Sequence, residues 1–163
     1  CPAEWAEAVK VVHLVNHTAL GMHYVPGKRG ERPDVLKCLL GKEAGYEEIR
    51  VVREPGTAFA YSGGGYLTLQ LLLQAMDRFE RSQSGSVAAH RQLSEIIAPF
   101  LGKHGDGELR FDDMVTERHA FGYMDAGEIV GDGDGRLRFP ELAAGGEGTA
   151  RAVGDFLVAL VNG

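Results

Sequence analysis

Apolar positions along the chain fall into blocks whose spacing predicts helices joined by short extended pieces. Trp5, Val9, Val12 and Val15 recur at helical spacing, so residues 3–15 read as one amphipathic helix. Pro33-Asp34 gives a start, Val35, Leu36, Leu39 and Leu40 a face, and Gly41 a stop for a second helix. The β-branched run from Ile49 to Arg53 predicts a short strand. Residues 66–79 are apolar nearly all round, interrupted by Thr68, Gln70 and Gln74, which predicts a central helix. Ser82 to Gly85 reads as a break and Ser86 as an N-cap. The helix after it would carry Leu93, Ile96, Ile97 and Phe100 inward and stop at Pro99 and Gly102. Thr149 can cap a last helix that turns Val153, Phe156, Leu157 and Leu160 inward. Many of the 23 glycines lie between Gly102 and Gly148, where loops and hairpins are expected.

Composition narrows the class without naming a function. With 163 residues, 44% hydrophobic and 25% charged, the chain suffices for one core, so residues 1–163 read as a single domain. A net charge of -6 and no Lys/Arg cluster argue against a nucleic-acid surface. No apolar run approaches the roughly 20 residues of a membrane span, and no targeting segment opens the chain, which leaves its compartment open. Cys1 and Cys38 are too few for a disulfide framework, and Cys38, on an apolar helix, reads as core.

The segment from Glu54 to Gln74 is the best candidate for chemistry. Pro55-Gly56 is a turn signal, and Gly63-Gly64-Gly65 reads as a glycine-rich turn that holds Tyr61 and Ser62 at the mouth of the central helix. The alternative is a plain strand-to-helix turn with Tyr61 packed in the core.

Four segments in order carry a resemblance. They are Val12-His13-Leu14-Val15-Asn16-His17-Thr18-Ala19-Leu20-Gly21, then Pro55 to Tyr66 with Tyr61-Ser62-Gly63 at its centre. Ile96-Ile97-Ala98-Pro99-Phe100-Leu101-Gly102 and Leu142 to Leu157 follow. Together they resemble the serine β-lactamase-like hydrolases, the group of class C β-lactamases, D-alanyl-D-alanine carboxypeptidases and related esterases. The resemblance implies a mostly α chain with short β-strands, the helical portion of the α/β β-lactamase/transpeptidase-like fold. It also implies an acyl-enzyme mechanism on a small-molecule ester or amide. Tyr61 would occupy the tyrosine of the Tyr-x-Asn motif, which helps proton transfer beside a lysine. Gly63 would stand at the substrate-binding position, where the family's asparagine holds the substrate amide, so an ester or small amide is the expected substrate. No cofactor or metal is expected.

The family's nucleophile lies in Ser-x-x-Lys. Here Ser62, Ser82, Ser84, Ser86 and Ser94 are followed three residues later by Gly65, Gly85, Val87, Ala89 and Ile97. Neither that motif nor the late Lys-Thr-Gly is present, so the resemblance implies the middle of a larger hydrolase, with the remainder of the domain as partner. A catalytically inactive binding module is the alternative within the same resemblance.

Calcium and zinc offer competing signals. Asp106-Gly107-Glu108-Leu109-Arg110-Phe111 and Asp134-Gly135-Arg136-Leu137-Arg138-Phe139 are near repeats 28 residues apart. In the second, Asp132, Asp134, Gly135, Leu137 and Glu141 fall on positions 3, 5, 6, 8 and 12 of an EF-hand loop, but Val130 takes position 1. In the first, Gly102, His104 and Asp113 take positions 1, 3 and 12. Hairpins with Asp-Gly turns fit better, and specific calcium binding at micromolar levels is not expected. His13, His17 and His23 suggest zinc by spacing, whereas Asn16-His17-Thr18 reads more simply as a helix-terminating turn with His17 hydrogen-bonded structurally. His90, His104 and His119 stand alone in the sequence.

Overall fold

The computed structural model describes residues 2–28, 32–83, 109, 120, 122–129 and 139–162. The chain divides into two compact units, one of residues 1–26 and 32–91, the other of residues 27–31 and 92–163.

In the first unit, α1 (Ala3–Glu7) and α2 (Val11–Val15) replace the single expected helix. The break falls at Lys10, which is extended and whose N–H donates to His13 Nδ1 at 3.2 Å. That bond starts a new helix, because it satisfies a backbone donor that continued winding would have to place elsewhere. Asp34 caps α3 (Val35–Leu39) by accepting the Lys37 N–H, and Cys38 is fully buried on it. The central helix α4 (Gly63–Gln83) is longer than expected at both ends. Ser82 lies within it, while Gly85, Ser86 and the helix expected after them are outside the described residues. Both α2 and α3 pack on α4, where Leu67 and Gln70 are buried.

The expected strand at Ile49–Arg53 does not form. Among the described residues there is no sheet, only isolated antiparallel bridges, of which Leu20–Val51 and Leu40–Glu48 involve this region. The described structure is therefore mostly helical and does not fit the α/β β-lactamase fold. The reason is visible in the partner of that region. Segment 17–23 gives its backbone to residue 60 at His17, to 56 at Thr18, to 52 and 50 at Ala19 and Gly21, and to 63 and 64 at His23 and Met22. A chain that changes partner every residue or two builds no ladder.

In the second unit, Lys28 and Phe139 exchange two backbone bonds at 2.9 and 3.1 Å, with Phe139 buried. A tight turn at Asp125-Ala126-Gly127 brings Tyr123 opposite Ile129, while the Asp-Gly turns expected at 106–107 and 134–135 lie outside the described residues. The helix α5 (Glu141–Ala144) is short, and α6 (Ala150–Asn162) follows Thr149, whose hydroxyl accepts the Ala152 N–H at 3.1 Å. The cap is as the sequence predicts, but the inward face is not. Leu157 is 54% and Leu160 63% exposed, and Val153 is exposed as well. Periodicity defines an apolar stripe; it does not supply the surface that covers it.

Candidate functional site

The site is built where segment 17–25 meets the start of α4. The three glycines expected to form a turn are instead the first turn of the helix. Their value lies in close approach. A Cβ on Gly64 would stand 2.4 Å from Ile49 Cδ1 and 2.8 Å from Met22 Cβ, and one on Gly65 would stand 3.1 Å from the Leu14 carbonyl oxygen. Three glycines in a helix cost roughly 1 kcal/mol each relative to alanine, so the sequence trades helix propensity for this contact.

That contact satisfies the helix N-terminus from inside the protein. The Gly63 N–H donates to the His23 carbonyl at 3.1 Å and the Gly64 N–H to the Met22 carbonyl at 3.2 Å. Ser62 completes the set as N-cap, its Oγ accepting the Gly65 N–H at 3.1 Å while its hydroxyl donates to the Gly21 carbonyl. Ser62 is 1% exposed. Its oxygen is thus committed on both sides and shielded from substrate, as befits an N-cap and not a nucleophile. With these first N–H groups taken, no oxyanion can be held on them. Gly63 is itself buried, and a Cβ there would meet Val25 Cγ2 at 3.1 Å.

Tyr61, by contrast, is exposed. Its ring lies 4.7 Å from the His17 ring, tilted by 36°, and 5.3 Å from the His23 ring, nearly edge-on at 72°. The row continues outward, with Phe59 edge-on to His17 at 5.8 Å and Tyr24 edge-on to His23 at 5.3 Å. Tyr66 backs the cluster at 5.2 Å from His17, its hydroxyl donating to the Val15 carbonyl at 3.2 Å. Comparison with family models, curated proteins and solved structures gives no match.

His17 terminates α2, as its sequence context suggests. The His17 N–H donates to the Leu14 carbonyl and the Thr18 N–H to the His13 carbonyl, the paired bonds of a Schellman cap, with His17 in the left-handed conformation at φ 58°. Such a conformation costs a non-glycine residue about 1 kcal/mol, so the imidazole occupies a position where glycine would be easier. The tyrosine and serine were visible as candidates in the sequence. The two histidines beside them were visible only as a zinc spacing and, for His17, a helix-terminating turn, because their real partners lie 38 and 45 residues away in the chain.

Among the described residues no group of three His, Cys, Asp or Glu side chains could hold a metal. Of the EF-hand-like positions, Glu141 is buried in the first turn of α5, and Asp106, Asp113, Asp132, Asp134, Gly135 and Leu137 lie outside the described residues. No described helix is long and apolar enough to cross a membrane.

Proposed function

We propose that Tyr61 transfers a proton in the hydrolysis of a small ester or amide through an acyl-enzyme, with the nucleophilic serine supplied by residues outside this chain. One observation carries the reading. Two of the four segments that carry the resemblance to serine β-lactamase-like hydrolases, residues 12–21 and 55–66, meet at this site and leave Tyr61 exposed, its hydroxyl free of hydrogen bonds among the described residues. Neighbouring Ser62 is unavailable because it caps α4. In the proposed reaction the outside serine attacks the acyl carbonyl and its proton passes to the leaving group by way of the phenol. Water then releases the acyl group. A phenol accepts a proton near neutral pH only beside a cation, so the cation and the oxyanion donors come with the nucleophile.

In protein containing that nucleophile, Tyr61→Phe should slow acylation about a hundredfold or more with an unchanged melting temperature. An unchanged rate would return Tyr61 to a packing role. The isolated chain should show an unmodified intact mass after incubation with a fluorophosphonate or a β-lactam; stoichiometric labelling of Ser62 would overturn the assignment of the nucleophile.

A second reading, a binding module without catalysis, is favoured by the same ring row. Tyr24 is 81% and Phe59 70% exposed, and two exposed rings flanking a third are what a stacking surface presents to a planar ligand.

A further inference from the structure

The peptide unit joining Tyr61 to Ser62 is held at both polar ends by imidazole nitrogens. His23 Nδ1 lies 3.2 Å from the Tyr61 carbonyl oxygen, and the Ser62 N–H points at His17 Nδ1 from 3.1 Å. A carbonyl can only accept and an amide N–H can only donate, so the two rings cannot be in the same state. The Ser62 carbonyl is equally close to His17 Nδ1, at 3.1 Å, so a ring protonated there could donate to it, but only by leaving the Ser62 N–H without its acceptor. The Ser62 N–H has no other acceptor among the described residues and belongs to a buried residue, so it decides the assignment.

We infer that His17, protonated on Nε2, and His23, protonated on Nδ1, are an oppositely tautomerised pair of positioning residues that fix the Tyr61 phenol. The inference rests on the proposed role of Tyr61 and adds the means by which that role is enforced. The same two rings that grip the backbone also flank the Tyr61 ring, so backbone and side chain are restrained together. His17 keeps its place in a left-handed cap because no glycine could offer the acceptor or the ring. With both Nδ1 atoms engaged, His17 Nε2–H remains a donor and His23 Nε2 an acceptor for whatever docks beside the phenol.

Long-range proton–nitrogen NMR of the 163-residue chain reads the tautomers directly, without any need for activity. His17 should show an unprotonated Nδ1 and His23 an unprotonated Nε2; finding both rings protonated on the same nitrogen would overturn the pairing. Variants then test positioning. His17→Asn keeps both the left-handed preference and an acceptor, so the Ser62 amide should keep its exchange protection, whereas His17→Phe keeps a ring without an acceptor and should lose at least tenfold. In protein containing the nucleophile, His17→Phe and His23→Phe should each lower kcat about tenfold or more with KM little changed, and His23→Asn, which retains a donor, should recover most of the loss. If Tyr61→Phe slows acylation while these histidine variants do not, the histidines are structural and the inference fails alone. If Tyr61→Phe is itself without effect, the proposed function fails and the inference with it.

Discussion

Two helices of the first unit end in the same way with different residues. At the end of α3, the Gly41 N–H donates to the Cys38 carbonyl and the Lys42 N–H to the Lys37 carbonyl, with Gly41 at φ 63°. At the end of α2 the same pair of bonds forms around His17 at φ 58°. The α3 cap needs glycine twice over, since a Cβ on Gly41 would also stand 2.8 Å from the Glu48 backbone nitrogen. The α2 cap holds a side chain at the same dihedral angle and turns it onto residues 61 and 62. One motif closes a helix and does nothing else; the other accepts strain and gains a contact to the candidate site.

The largest expected effect breaks the glycine side of that pair. Gly41→Ala combines left-handed strain with a backbone clash and should cost about 2–4 kcal/mol. Urea denaturation measures it, and a loss below 1 kcal/mol, on the order of a surface substitution, would mean that the Glu48 segment simply moves aside.

Next is the pH dependence of the residue packed behind α3. Tyr46 is buried, its hydroxyl donating to the Pro26 carbonyl at 2.7 Å. Burial, then the nearby Cys38 charge and hydrogen bond and the Glu43 charge, push its pKa from 10.0 up to about 12. The folded state thus holds a proton that the unfolded chain releases first. The stabilisation is fully present below about pH 10 and is lost as pH rises toward about 12, at roughly 1.4 kcal/mol per pH unit. Denaturation midpoints compared between wild type and Tyr46→Phe should diverge in slope only above about pH 10; parallel profiles would dismiss Tyr46 as the linked group.

A smaller loss is expected at the junction that the His17 cap faces. Ser62→Ala removes the α4 cap and leaves the Gly21 carbonyl without its hydroxyl donor, at a cost of about 1–3 kcal/mol. Ser62→Asn, which can cap, should recover part of this, and an equal loss in both variants would show that volume and not capping matters there.

The smallest effect sharpens the comparison most. His17→Gly relieves the left-handed strain but orphans the Ser62 N–H, and the opposing terms leave stability within about 1 kcal/mol of wild type. If it costs as much as Gly41→Ala, the imidazole is a core element and the distinction between the two caps disappears.

Short-range signals in the sequence were sufficient for several elements. Asp34 and Gly41 bound α3, Thr149 caps α6, and the apolar run from Tyr66 to Phe79 lies within α4. Ser62 could have been recognised as an N-cap, since serine directly before an apolar helix is a preferred capping residue. It was masked by the three glycines after it, which resemble a turn until their neighbours are known. Ile49–Arg53 has strand composition yet forms single bridges, because strand formation depends on a partner that keeps its register.

The sequence by itself determined the bounds of α3, the cap of α6 and the candidate residues for chemistry, because caps, breakers and periodicity act over a few residues. Only the tertiary structure decided that Ser62 is sealed and Tyr61 exposed, that the glycines serve close approach, and that two histidines flank one peptide unit. Each of these depends on which backbone atoms of segment 17–25 face residues 61–65. That pairing spans about 40 residues of chain and is set by packing against α4, a choice no local pattern encodes.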